Sequence, residues 1–301
     1  MSKEEIQKRI YECKDDEDIR RFVTERIQEL EDSSKEVTMG QNYTDTFDEY
    51  ISSKVHYKPA DKFSNGECPD LVYDDIEPYV SLIKGIQKNP WYNELTLFTT
   101  MFWELHGYLP NDSDFGLERF FTYQSHIEDG KISIKDIKAN DCAFCSEKSG
   151  LSHNMFKFLG VDSSLVSGKR DNTLHAYNMV YPNGYGNGPA VIYDPSHHID
   201  FVNKSGKKIS FGYYKRLSEE EYEKMKNAEC VILDMTPSGE KMKQTYGSAL
   251  DGYEMQVETS TYEIGTGKTK LQKRENELSS LEDDGKTISE KETVINAENQ
   301  K

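Results

Sequence analysis

The 301 residues predict an α+β protein in which helices come first and strands follow. Two observations carry this reading. Between residues 3 and 159, apolar side chains recur at spacings of three and four among charged ones, the period of helices with one buried face. Beyond Gly160 the pattern turns to short β-prone runs separated by Gly, Pro, Asn and Asp, as antiparallel strands and their turns require.

The elements follow in chain order. Ile6 and Ile10, then Ile19, Phe22, Val23, Ile27 and Leu30, predict helices from residue 3 to about 33. The acidic run from Asp15 to Asp18 divides them and caps the second. Residues 34–68, rich in Ser, Asp, Thr and Tyr, read as a connection, so 1–68 forms a helical N-terminal region with its linker. Leu95, Phe98, Met101, Phe102 and Leu105 share one helical face, with Gly107 placed to end it. Another helix is expected over 115–127, then a short apolar segment holding Ile132, Ile134 and Ile137. Cys145 opens a helical pattern through Leu151, Met155, Phe156 and Leu159, which Gly160 stops.

Strands are expected at 165–166, 174–181 and 190–193, the last two joined by a Gly-rich turn. Strands at 209–214 and 231–235 flank an acidic helix near 218–225, and 253–264 reads as one more strand. Residues 265–301 hold too little apolar surface to offset the entropy of ordering, and are expected to form a disordered charged tail.

Composition narrows the function. With 37 basic against 54 acidic residues, the net charge of -17 repels phosphate backbones and anionic lipid. Neither a nucleic acid nor a membrane is therefore an expected partner. Mean hydropathy is −0.80, no apolar run is long enough to cross a bilayer, and the N-terminus carries no signal-peptide core. The five cysteines are odd in number and scattered, which fits a reducing compartment and predicts a cytoplasmic location.

The chemistry is carried by three residues. A nucleophilic thiol needs partial ionisation, which a helix N-terminus promotes. It also needs a histidine in reach to exchange protons and a third group to orient that histidine. Cys145 opens a helix, His175 begins a strand, and Asp194 ends the next one. A hairpin across the Gly-rich turn brings the two strand positions together.

Here the sequence resembles the transglutaminase-like superfamily of papain-like folds, over about residues 140–200. Cys145 to Leu151, running on to Phe158-Leu159-Gly160-Val161, is similar to that family's cysteine helix. Leu165 to Gly168 with His175 to Tyr181 looks like its histidine strand, and Tyr193-Asp194-Pro195-Ser196 like its Asp-Pro-Ser/Thr block. The chain departs from the pattern at Ser149, where Ala is usual, and at Asp162, where Pro often stands. The resemblance implies a cysteine helix packed on an antiparallel sheet, within a catalytic domain spanning 69–264. It also implies a Cys145–His175–Asp194 triad attacking the amide of a peptide or protein through a thioester, with no cofactor. The Cys145 N–H would supply part of an oxyanion hole, with a side-chain donor among Gln124, Trp91 and Asn140.

Other readings compete. Cys142-Ala143-Phe144-Cys145 is a CxxC, but it follows no strand of a βαβ unit and has no second pair for zinc. His197-His198 reads as a solvated loop pair more readily than as metal ligands, and His153 as structural. Glu147 in the first helical turn reads as a helix-start residue rather than a tuner of the thiol. For the whole chain, the rival to an enzyme is a non-catalytic interaction module that keeps the fold and binds a partner through its acidic helices and tail.

Overall fold

The computed structural model describes residues 1–37, 70–72, 75–89, 94–109, 121–123, 125–128, 131–171, 173–184, 187–226, 231–235, 239–256 and 260–264. The connection at 38–69, most of the expected 115–127 helix and the charged tail lie outside them.

Helices α1 (Lys3–Glu12) and α2 (Asp16–Val37) are separated where the acidic run predicts. Asp15 accepts the Glu17 and Asp18 backbone N–H groups at 3.0 and 2.9 Å, which caps α2. A two-stranded parallel pair joins β1 (Asp70–Val72) to β2 (Lys131–Ser133). Between them come α3 (Glu77–Lys88), which the sequence reading did not identify, and α4 (Glu94–Tyr108). Gly107 lies inside α4 rather than past its end, because the helix runs one residue further. The apolar segment at 131–139 divides into β2 and α5 (Ile134–Ala139). Next come α6 (Cys145–Phe158), β3 (Asp162–Arg170), β4 (Thr173–Tyr181), β5 (Val191–Asn203) and β6 (Lys208–Arg216). The chain continues through α7 (Glu219–Lys226), β7 (Val231–Met235), α8 (Gly239–Tyr246), β8 (Tyr253–Gln256) and β9 (Ser260–Ile264). The single strand expected at 253–264 is thus two strands with different partners.

The main sheet is antiparallel, in the order β6-β5-β4-β3-β9-β7, with β8 on the distal half of β5. It curls strongly. Tyr213 on β6 stacks against Tyr262 on β9, with ring centroids 6.1 Å apart, although three strands separate β6 from β9 in the sheet order. Period-2 alternation divides the core accordingly. Val180, Val191 and Tyr193 face the helices, in one cluster with Phe98, Leu151, Met155 and Phe156. Tyr177, Met179, Ile192, Phe211, Tyr213 and Tyr262 fill the inside of the curl. Ile6, Ile10, Phe22 and Val23 of α1 and α2 belong to the first cluster, so the N-terminal helices share a core with α6. Among the described residues, no helix is long and apolar enough to cross a membrane.

Candidate active site

Two backbone devices place Cys145. At the end of α5, Cys142 N–H donates to the Ile137 carbonyl and Asp141 N–H to that of Lys138, at 3.1 and 3.3 Å, with Asp141 at φ 47°. This paired closure, with a short polar residue taking the left-handed position, stops α5 sharply. Three residues later α6 begins, and two of the three, Cys142 and Ala143, are buried anchors. Glu147 then reaches back to the Phe144 N–H at 2.9 Å, satisfying a donor that the helix start leaves over. Its other oxygen accepts the Tyr123 hydroxyl at 2.9 Å, and Tyr123 packs edge-on against Phe144. Glu147 is thus a helix-start residue with a buried partner. At the far end, Gly160 at φ 69° closes α6 through Val161 N–H to Phe156 and Gly160 N–H to Lys157. A Cβ there would meet Ile6 at 3.0 Å.

Helix α6 seats where two ladders part. The β4–β5 pairing ends at Asn178 and Tyr193. Just beyond, the Ser149 hydroxyl donates to the Ala176 carbonyl, and the Asn178 amide donates to the Ser149 carbonyl, both at 2.9 Å and buried. Ser149, four residues after Cys145, therefore ties the helix to the residue next to His175.

Asp194 sits at an irregularity in β5. It pairs with Tyr213 while His198 pairs with Gly212, so four steps on β5 oppose one on β6. Pro195 has no N–H to continue the ladder, and the Ser196 N–H folds back onto Asp194 Oδ1 at 2.8 Å. The bulge turns the strand while leaving the Asp194 carboxylate fully buried. His197 and His198 consequently lie within β5, half-buried, and not in a surface loop. The His197 ring packs on Tyr213 at 4.5 Å, and His198 lies 3.4 Å from Asp200. Among the described residues, no group of three or more His, Cys, Asp and Glu side chains is arranged to hold a metal.

The three residues singled out from sequence stand together. His175 Nε2 is 2.7 Å from Asp194 Oδ2, and the Cys145 side chain interacts with the same ring. Burial works against an imidazolium here, but Asp194 outweighs it with help from Cys145, and His175 is pushed up to about 9. Burial likewise opposes charge on Asp194. His175, Arg170 and Tyr262 overcome it and hold the carboxyl well below the usual carboxylate range.

Two of those partners were not found in the sequence. The Tyr262 hydroxyl donates to Asp194 Oδ2 at 2.6 Å, and Arg170 Nη1 approaches the same oxygen at 3.3 Å. Strand register explains how they arrive: Gly168 opposes His175, so Arg170, two residues on, shares its face, and Tyr262 pairs directly with Arg170. Only that parity could have flagged Arg170, and nothing local marks Tyr262.

The remaining candidates separate. Gln124 and Trp91 lie outside the described residues, and the Asn140 amide donates to Asp136 in its own helix at 2.8 Å. His153 bonds Ser163 at 2.8 Å and is brought down to about 3 by burial and then Lys157, so it stays neutral and structural. Cys142, fully buried, and Cys145, partly exposed, are both thiols. None of the comparisons, with protein-family models, curated proteins and solved structures, finds a match.

Proposed function

We propose that this chain is a thiol-dependent acyl-transfer enzyme of the transglutaminase-like, papain-like kind, acting on an amide in a peptide or protein. The observation that carries the reading is one relay: a thiol at the first residue of a helix, an imidazole in its reach, and a fully buried carboxylate 2.7 Å behind that imidazole. The cysteine helix lying against a curled antiparallel sheet supports the same family reading.

The charges favour a resting thiolate–imidazolium pair, because the helix N-terminus and His175 both stabilise negative sulfur. The thiolate attacks the amide carbon, forming a C–S bond and placing negative charge on the carbonyl oxygen. In this reading the Cys145 N–H supplies part of the oxyanion hole that receives that charge. The tetrahedral adduct collapses as its C–N bond breaks, and His175 delivers its proton to the departing amine. The neutral imidazole then takes a proton from water, which attacks the thioester. The C–S bond breaks, the acid leaves, and the thiolate–imidazolium pair returns. An amine in place of water gives transamidation. Asp194 holds the ring and its charge throughout.

The test is turnover of a peptide-amide library by the full chain and by Cys145→Ala. The variant is expected to keep the fold and to lose activity by roughly 10³-fold or more, since such residues act as a unit. Equal turnover by both proteins removes Cys145 from the mechanism.

A further inference from the structure

The carboxylate of Asp194 receives more donors than orienting one histidine requires. Oδ2 accepts from His175 Nε2, from the Tyr262 hydroxyl and from Arg170, while Oδ1 accepts the Ser196 N–H. Three of these donors come from three strands that are neighbours in the sheet, β4, β3 and β9, and converge on Asp194 of β5.

We propose that Arg170 and Tyr262 are positioning residues of this centre, clamping Asp194 so that the His175 ring stays on the Cys145 sulfur. The inference rests on the acyl-transfer reading and extends it to β9, the last described strand. A carboxylate held by a single histidine is free to rotate about its terminal torsion, which is broad and shallow. With Tyr262 and Arg170 converging on one oxygen, that rotation breaks charge-assisted hydrogen bonds. The aromatic body of Tyr262 is itself fixed, fully buried and packed against Tyr177 and Tyr213 with centroids 5.6 and 6.1 Å away. Burial and the neighbouring Asp194 push its phenol far up, so it remains an O–H donor at every working pH. Arg170 is part-exposed and brings a second cation, since in the acyl-transfer reading the site holds the Asp194 carboxylate and the Cys145 thiolate against one imidazolium.

Among the described residues, the other titratable groups that interact with this cluster are Tyr193 and His197 on β5 and Tyr213 on β6. His197 is lowered by burial, and Tyr213 is raised by it. Tyr213 makes a useful control, because it stacks on Tyr262 while its side chain bonds the Ser260 backbone.

The experiment is the pH profile of iodoacetamide alkylation at Cys145, mapped by peptide mass spectrometry in the full chain. In the unaltered protein, alkylation is expected to persist well below the ordinary thiol range of about 8.5. Tyr262→Phe removes one oxygen and is expected to move the acidic limb up by about one pH unit, slowing labelling at pH 6.5 by roughly tenfold. Arg170→Gln is expected to shift the limb the same way, Arg170→Lys to restore much of it, and Tyr213→Phe to leave it in place. Arg170, near the surface, keeps the test open if Tyr262→Phe fails to fold. Unmoved limbs in Tyr262→Phe and Arg170→Gln, with the unaltered protein reactive at low pH, overturn the clamp and leave the enzyme reading standing. An equal shift in Tyr213→Phe overturns it too, since the effect is then packing. An ordinary thiol profile in the unaltered protein removes the enzyme reading itself.

Discussion

At the scale of single residues, the candidate centre is a balance of charges that burial opposes and partners restore. Burial disfavours His175 imidazolium, yet Asp194 and Cys145 lift its titration to about 9 from an ordinary 6.5. A folded pKa above the unfolded one means that the paired imidazolium stabilises the fold fully below about pH 6.5, and that this contribution disappears as pH rises through about 9. Asp194 works the other way, its contribution present above the unfolded carboxylate pKa of about 3.9 and lost as acid protonates it below that. The urea midpoint of the unaltered protein is therefore expected to fall between pH 7 and 9.5 relative to that of His175→Gln. Parallel curves for the two proteins contradict the charged pair. That Cys145, His175 and Asp194 come together was legible in the sequence because each sits in a short block with a local signal: a helix start, a strand start, an Asp-Pro-Ser turn. Arg170 and Tyr262 were not, since their meeting with Asp194 depends on strand register and sheet curl.

At the scale of elements, the position of the thiol is set by how α6 is fastened. Ser149 and Asn178 exchange bonds with the opposing backbone at 2.9 Å in a buried seam, so their loss is felt without any change of fold. Ser149→Ala is expected to cost about 1 kcal/mol in urea unfolding. Ser149→Val, which adds bulk to a closely packed contact, is expected to cost about 1–3 kcal/mol and to slow Cys145 labelling as well. Loss of stability with unchanged labelling would show that the seam does not set the thiol. On the opposite flank, α4 approaches β6 so closely that a Cβ on Gly212 would lie 2.7 Å from Phe102 Cβ and 3.2 Å from the Tyr193 ring. Gly212→Ala is expected to destabilise by about 1–3 kcal/mol, read from the denaturation midpoint. An unchanged midpoint would contradict this close approach. Periodicity found α4 and α6 because their buried faces are long and regular. It missed α3, whose Pro78 and Gly85 interrupt the pattern, and it merged β8 with β9 because alternation does not reveal a change of partner.

At the scale of the molecule, the N-terminal helices and the cysteine helix share one core. Beyond the shared apolar cluster, Arg26, only 6% exposed, donates to the Phe158 and Lys157 carbonyls at 3.2 and 3.4 Å, at the C-terminal end of α6. A cation suits that end of the helix dipole, and its removal takes a donor from the buried Phe158 carbonyl. Arg26→Ala is expected to cost about 2–3 kcal/mol, with far-ultraviolet dichroism and tryptophan fluorescence still melting together. An earlier loss of helix alone would show that α1 and α2 are a separate unit. The charge of -17 read from the sequence says nothing of the Arg170–Asp194–His175 cluster, in which two basic groups meet one acid.

The central claim is that Cys145 is a nucleophile served by His175. Its most direct measurement is reaction of the full chain with p-nitrophenyl acetate, following p-nitrophenol release and locating the acetyl group by peptide mass spectrometry. The account predicts a burst of about one equivalent, with acetyl on Cys145, abolished in Cys145→Ala and slowed at least roughly 10²-fold in His175→Ala. Acetylation of Cys145 no faster than that of Cys13, and indifferent to His175, would contradict it.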